Sequence, residues 1–498
     1  MSGGEYEYSA SSGIYRYGYV KSLSDNGQSI GSTSRYSPSG GYLGGDVWLI
    51  RGTSTQLLGL SGSGYQYVAN GLLHRYSRPE RLNNAGQAIG VSDRHSASGG
   101  GLGQDAWFFD GNTTRLMGLT GSGYDAVHSV GVERYAYPGQ FNEAGQATGY
   151  NLRLAVSGGE YLGYDAWFFN GTSTQLIGLT GSGYEYAASG GIFRQMSGEG
   201  HNFNEAGHVS GPSYRYSAQG DDLGLDAWFF NGTSTQLIGL TGSGYEYAAS
   251  GGIARTSSIT RLNEQGQAIG QTNRYSASGE NLGVSGWFYD SDTGITTPLE
   301  FSVNVQNYSV TTPSILTEQG VVLGLYERQD PDDFGPRAFW WSTEAGFHDL
   351  GELVNVGLTA AGWESLEFPI QASGSTGGGT PSYIVGGGVA IGVDPQSANL
   401  FLLAAAGVTG DYNGDGVVNA TDYTVWRDNL NAPTLPFNRD PNNGGAVGQA
   451  DYVVWKANFS ASSENTSAAV PEPSAVMLAL FAIAVVAVFY CNSRKWNA

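Results

Sequence analysis

Short apolar runs, each closed by a glycine-rich turn, recur from residue 13 to residue 403 with a period near 60. Trp48, Trp107, Trp167, Trp228 and Trp287 stand at nearly equal intervals, and Trp340 follows after a shorter one. A second landmark precedes each tryptophan: Leu82-Asn83-Asn84-Ala85-Gly86-Gln87-Ala88-Ile89-Gly90. Its counterparts start at Leu23, Phe141, Phe203, Leu262 and Leu316. Asp165 to Ile192 is identical to Asp226 to Ile253, which implies recent duplication and lets positions be compared within the chain.

Each repeat offers four strand candidates. They are represented by Gly191 to Arg194, the Gln87 to Gly90 segment, Asp165 to Phe169, and Thr174 to Leu179. Asn170-Gly171 between the third and fourth is a strong hairpin signal. Ala166-Trp167-Phe168-Phe169 does not alternate, so that strand is predicted to be buried on both faces. No stretch of the repeats has a helical period. Many such four-stranded units predict an all-β fold, a repeat β-propeller over residues 1–408, with a β-solenoid as the alternative. The second strand occurs seven times, at Ile30, Ile89, Thr148, Ser210, Ile269, Leu323 and Ile391, so seven blades are expected. The seventh repeat runs through Tyr383 to Asp394 and Asn399 to Leu403 and lacks a fourth strand. Gly4-Glu5-Tyr6-Glu7-Tyr8 matches the segment after a fourth strand, Gly244-Tyr245-Glu246-Tyr247. A closing strand is therefore expected upstream of Met1. Met1 to Ala10 has neither a basic nor an apolar segment of a secretory signal, which points to the same misplaced start.

The pattern Leu-Asn-x-Ala-Gly-Gln-x-x-Gly, followed by Ala-Trp-Phe, resembles the HAF-type extracellular repeat family over roughly residues 13 to 403. The resemblance implies secretion and a propeller-like fold, and no known reaction.

Residues 409–460 differ. Asp411 to Asp422 fits a twelve-residue calcium loop. Asp411, Asn413 and Asp415 supply oxygens at positions 1, 3 and 5, and Gly416 makes the turn at position 6. Val417 offers its carbonyl at position 7, Asn419 acts through water at position 9, and Asp422 closes the loop at position 12. A second copy follows, with Asp440, Asn442, Ala446 and Asp451 at positions 1, 3, 7 and 12. It has Gly444 at position 5 and Gly448 at position 9, two lost ligands that should weaken it. Helices are predicted over Tyr423 to Leu430 and Tyr452 to Phe459. Aspartate at position 12 followed by such a helix resembles a dockerin type I repeat. The resemblance implies Ca2+ as cofactor and a cohesin-like partner read at loop positions 10 and 11. Here those are Ala420 and Thr421, then Gln449 and Ala450; the pairs differ, against symmetric recognition.

A linker, 461–474, leads to Ala475 to Cys491, seventeen residues that suffice to cross a bilayer as one helix. The stub 492–498 carries Arg494 and Lys495, which would stay cytoplasmic. Pro471-Glu472-Pro473 before the span, with the basic stub behind it, resembles the PEP-CTERM sorting tail of bacterial surface proteins. The resemblance implies an exosortase-type membrane peptidase as partner. It implies anchoring in the cell envelope, then a cell-surface or extracellular location after processing; an ordinary membrane anchor is the alternative. Cys491 is the sole cysteine, so no internal disulfide forms. It reads as an apolar helix residue, with lipidation as the other reading.

Composition narrows the function. A net charge of -21 argues against nucleic acid as a partner. His74, His95, His128, His201, His208 and His348 show no metal-ligand spacing, and His201 and His208 read as surface residues. Asp46, Asp105, Asp165 and Asp226 recur before the tryptophan, and Arg35, Arg94, Arg153, Arg215 and Arg274 recur after the second strand. They form either structural ion pairs inside each blade or a ring for an acidic polysaccharide. Repeated Tyr-Arg-Tyr and Gly-Tyr-Glu-Tyr loops are either strand filler or a sugar-stacking rim. The expected function is that of a non-enzymatic cell-surface or matrix protein. The alternatives are a carbohydrate-binding or scaffolding protein of a polysaccharide-degrading system and, last, a glycoside hydrolase.

Overall fold

The computed structural model describes residues 4–11, 13–196, 202–300, 310–330, 333–349, 384–385, 389–393, 400–403, 409–413, 418–432, 439–440, 443 and 445–459. The chain divides into two units, 1–384 with 391–401, and 385–390 with 402–498. The division falls a few residues before the expected boundary at 408.

The first unit is built almost wholly of antiparallel strands, as the period of apolar runs predicts. In the third repeat Gly131–Phe141, Ala147–Leu154, Tyr161–Phe169 and Thr174–Ile177 pair in chain order. A fifth strand, absent from the sequence reading, precedes them. Ala126–His128 folds back on the start of the first strand, as do Gln66–Ala69, Glu185–Ala188 and Tyr247–Ala249 in the other repeats. These are the Gly-Tyr-Glu-Tyr segments that the sequence assigned to loops. Their hairpin signal was present: Asn70-Gly71 has both residues at positive φ, 52° and 77°, the mirror-image turn that matches strand twist.

The first strand is long because it serves two repeats. Its first half pairs in parallel with the third strand of the preceding repeat, Gly103 with Arg134 and Gln104 with Tyr135. Its second half pairs with the second strand of its own repeat.

Successive sheets bury their faces on each other. Trp107 and Phe109 pack on Ile30, Val47, Leu49 and Leu58 of the preceding repeat. Ile89, Ala106 and Phe108 face Ala147, Trp167 and Phe169 of the next. Both faces of the third strand are therefore dry, which explains its unbroken apolar run. Each tryptophan lies across the cross-strand glycine of its landmark, Gly90 under Trp107 and Gly149 under Trp167. A Cβ on Gly90 would meet Trp107 Cζ2 at 2.4 Å and the Arg78 carbonyl at 2.2 Å. Glycine there is a packing requirement.

The sixth repeat corrects one landmark. Gly324 lies opposite Phe339, not Trp340, which pairs with Leu323 and stacks on His348. Phe339 fills the tryptophan slot, fully buried, so residue type misled by one position where the spacing shortened. Three further strands, Ile384–Val385, Val389–Val393 and Leu400–Leu403, form a sheet of their own. They include the second and third strands expected for a seventh repeat.

In the second unit, helix α1 is Ala420–Asp428 and helix α2 is Gln449–Ala457. Both start three residues earlier than predicted. Asp422 and Asp451 are the N3 residues of the two helices and accept the backbone N–H of Asn419 and Gly448. The last loop positions thus form the first helical turn. No helix of the described residues is long and apolar enough to cross a membrane. The span 475–491, Pro471, Glu472, Pro473, Arg494 and Lys495 lie outside the described residues.

Candidate metal centre

Asp411 and Asp422 of the first loop are buried, 1% and 0% exposed. The Asp422 carboxylate accepts Asn413 N–H at 2.9 Å and Asn419 N–H at 2.8 Å, closing the loop and capping α1 at once. Asn419 Oδ1 accepts the Thr421 backbone N–H and hydroxyl, each at 2.7 Å. Engaged as a helix cap, it would serve an ion only through water. Asp415 and Val417 lie outside the described residues, and among those described no three His, Cys, Asp or Glu side chains gather. Burying carboxylates is costly without a counter-charge, and Gly410 just ahead of the loop brings none. The donors of this loop are hard oxygens from two buried acids and Asn413. They fit a calcium ion.

The second loop is built differently. Asp451 is 1% exposed and accepts Gly448 N–H at 2.8 Å, as Asp422 accepts Asn419. Arg439, immediately before the loop, grips the same carboxylate, Nε to Oδ1 at 2.7 Å and Nη2 to Oδ2 at 3.1 Å. Its Nη1 donates to the Gly445 carbonyl at 2.9 Å, and Asn443 Nδ2 donates to Asp451 Oδ1 at 3.2 Å. Burial raises the Asp451 carboxyl, but the hydrogen bonds from Arg439, the Gly448 N–H and Asn443, together with the Arg439 charge, outweigh it and hold the group below the ordinary carboxylate range. Asp440 is half-buried, Ala446 is exposed, and Asn442 lies outside the described residues. A cation at Asp451 would have to displace a guanidinium, so these residues do not fit one.

The two helices lock reciprocally. Trp426 Nε1 donates to the Gly448 carbonyl and Trp455 Nε1 to the Asn419 carbonyl, both at 2.8 Å. Each tryptophan thus holds the N-cap of the other helix. Tyr423, Trp426, Tyr452 and Trp455 cluster with centroids 5.0–6.2 Å apart. Ala420, Thr421, Gln449 and Ala450 are all exposed.

In the repeats the recurrent aspartates and arginines meet. Asp165 accepts Tyr124 Oη at 2.6 Å, Arg153 Nη1 at 2.6 Å, and both Nε and Nη2 of Arg194 at 2.6 Å. Tyr65, Arg94 and Arg134 surround Asp105 in the same way, as Tyr184, Arg215 and Arg255 surround Asp226. Asp46 collects Tyr6, Arg35 and Arg75. Arg194 belongs to the repeat after Asp165, so the cluster joins neighbours. Burial raises the Asp105, Asp165 and Asp226 carboxyls, and the facing arginines more than reverse it, leaving them lowered. Burial and the carboxylate push Tyr6 and Tyr184 up to about 12. The arginines lie within the second strand, not after it. The side chains of Arg94, Arg153 and Arg215 are only 12%, 10% and 11% exposed. They are internal partners, not a polysaccharide-facing ring. Sequence reasoning missed the second set, Arg75, Arg134, Arg194 and Arg255, although three of them stand at one fixed offset ahead of the landmark. The fifth repeat has Ser285 at the aspartate position, and the sixth has Ser309 at that arginine position: both members of the pair are replaced together.

A second series runs through the landmark turns. Asn83 Nδ2 donates to Asn142 O, Asn142 to Asn204 O, Asn204 to Asn263 O and Asn263 to Thr317 O. Gln87, Gln146 and Gln267 brace these asparagines; in the fourth repeat His208 does so. His208 is half-buried against Phe229, not a surface residue, and burial lowers its pKa. His201 lies outside the described residues. Elsewhere a cleft of about 680 Å³ is lined by Lys21, Glu80, Arg81, Tyr137, Glu143 and Tyr150. Tyr137 and Tyr150 stack there at 4.8 Å.

No family model matches the chain, and no curated protein does. Among solved structures it is similar to the β-propeller domain of the Trilobed protease from Pyrococcus furiosus. That match has 8% identity and a TM-score of 0.23, and covers 67% of this chain and 95% of the other. It is also similar to a PL25 ulvan lyase, at 10% identity and a TM-score of 0.24, covering 64% and 80%. The Aleuria aurantia lectin matches at 10% identity and a TM-score of 0.20, covering 67% and 94%. Superposition at such scores assigns neither activity nor ligand.

Proposed function

We propose that this chain is an exported, non-enzymatic protein of the cell surface or extracellular matrix. Residues 1–408 form a seven-bladed propeller. A dockerin type I-like module over 409–460 is stabilised by Ca2+, and a sorting tail over 461–498 contains one membrane helix. The observation that carries the reading is the engagement of the recurrent charged groups. Asp105, Asp165 and Asp226, with their arginines and tyrosines, join one repeat to the next. That is scaffold chemistry repeated, not a site unique to one blade. Asp411, Asn413, Asp415, the Val417 carbonyl, Asn419 through water and Asp422 would hold the ion, whose role is structural. An exosortase-type peptidase would act at Pro471-Glu472-Pro473, a triplet whose prolines disfavour helix. The test replaces Pro471, Glu472 and Pro473 by alanine and follows fractionation. The variant should be trapped full-length in the inner membrane, while the mature wild-type surface form lacks Trp496 by mass spectrometry. Retention of Trp496 in the surface form would leave a simple anchor.

The cleft holding Tyr137 and Tyr150 favours a second reading, a carbohydrate-binding protein. Stacked half-buried rings beside Lys21, Glu80 and Arg81 suit a sugar face and its hydroxyls. Binding on a glycan array that Tyr137→Ala abolishes would establish it; no binding would return the repeats to a structural role.

A further inference from the structure

We infer that Arg439 takes the place of the cation in the second loop, so that the module holds one calcium ion and one internal guanidinium. The inference rests on reading 409–460 as a calcium module. Three observations converge. When the two loops are aligned from Asp411 and Asp440, Arg439 stands where the first copy has Gly410. The arginine appears in the copy that has lost two side-chain ligands, one of them an acid, with Gly444 and Gly448 at positions 5 and 9. And its fork engages both oxygens of Asp451, the position-12 carboxylate, while its third nitrogen takes the Gly445 carbonyl at the loop's sharp turn.

Charge gives the same answer. The first loop carries Asp411, Asp415 and Asp422, and a divalent ion would leave it one negative charge. The second carries Asp440 and Asp451, and Arg439 leaves it the same. A planar guanidinium offers several donors in fixed directions, so one residue can neutralise a carboxylate and tie a turn carbonyl together. The buried Asp451 is thereby compensated from within the chain, and α2 keeps its cap without metal. A calcium ion and Arg439 would compete for the same two oxygens. The halves should therefore differ: calcium acts on α1 directly, and on α2 only through the tryptophan lock between them.

The full chain should bind one calcium ion by isothermal titration. Asp415→Ala should abolish that binding, and Asp440→Ala should change its affinity by no more than about twofold, since its loop takes no ion. Hydrogen exchange read in saturating calcium reports the other half. Arg439→Ala should speed exchange across Gln449–Ala457 by about tenfold or more, because it leaves a buried carboxylate without its partner. Arg439→Lys keeps the charge, loses the fork and should recover only part of the protection. Two ions per chain, with Asp440→Ala removing one, would overturn the inference, as would Arg439→Ala with unchanged exchange. If the wild type bound no calcium while Arg439→Ala still opened α2, the calcium reading of the first loop would fall and the role of Arg439 would stand.

Discussion

Asp165 and Asp422 are both fully buried carboxylates, each within its own unit, and they are compensated from different sources. Asp165 is enclosed by Tyr124, Arg153 and Arg194, drawn from adjacent repeats of the same chain. Asp422 has backbone N–H groups of its own loop and, on the reading above, an ion from solution. A carboxylate closed by covalently attached cations makes folding independent of composition outside the molecule. A carboxylate left for a free ion makes folding report that ion. The first arrangement suits a scaffold, the second a module whose order depends on calcium.

The sharpest way to break the comparison is to remove an arginine from a repeat. Arg194→Ala takes the two-pronged partner from Asp165, which is 0% exposed, leaves it only Arg153 and Tyr124, and should cost about 3 kcal/mol, measured by urea unfolding in saturating calcium. The chain itself indicates the rescue. Ser285 and Ser309 replace such a pair together, so Asp165→Ser combined with Arg194→Ser should recover most of that loss. A double variant as unstable as the single one would mean that the pair contributes packing rather than charge compensation.

Calcium removal should follow in size. At a free ion concentration about a hundred times Kd, binding stabilises its fold by about 2.7 kcal/mol. A chelator should lower α1 helicity and leave the strand signal of the repeats unchanged. Equal loss in both would make the repeats ion-dependent too and erase the contrast.

Acid and alkali act on the repeat clusters from opposite sides. The lowered carboxyls of Asp105, Asp165 and Asp226 bind protons more weakly folded than unfolded. Their contribution is present above the ordinary value of 3.8 and disappears as pH falls through the depressed folded values. Tyr6 and Tyr184, raised from 10.0 to about 12, stabilise below 10 and cease to do so as pH climbs through 12. A pH series of urea midpoints should therefore fall steeply at both ends, with no more than a small change between them. A fall centred near neutrality would show that other groups dominate.

Much of this was legible in the sequence because duplication supplied its own comparison. The strand run Asp165 to Phe169, its burial on both faces and the Asn170-Gly171 turn follow from pattern and turn chemistry. What was missed lay in relations between repeats. A lone arginine such as Arg134 carries no local signal of Asp105 in the repeat before it; only the parallel pairing of Gly103 with Arg134 brings them together. The fifth strand was hidden by its own composition, since Gly-Tyr-Glu-Tyr reads as a loop until the following turn is counted. In the module, ligand spacing pointed to both loops, the second weakened by Gly444 and Gly448. Arg439 lay just outside the motif, where a search for oxygen donors does not look.

The smallest effect tests the turn series, where one repeat departs from the rest. His208 replaces the glutamine that braces Asn83, Asn142 and Asn263, and its Nδ1 lies 3.2 Å from Asn204 Nδ2. The amide nitrogen can only donate, so the ring nitrogen must accept and the imidazole must be neutral. Burial lowers the His208 pKa from 6.5, with Glu264 and Asp292 opposing it. Its contribution is then complete above 6.5 and is lost as pH falls through the lower folded value. Protonation would set two donors against each other beside the Asn263 carbonyl that Asn204 also serves. His208→Gln restores the acceptor used in the other repeats. It should change stability by less than about 1 kcal/mol at pH 8, the scale of one neutral hydrogen bond, and should remove part of the loss below pH 6.5. Identical pH profiles for the two proteins would show that the turn tolerates the charged ring, and that the series is held by its backbone rather than by its side-chain braces.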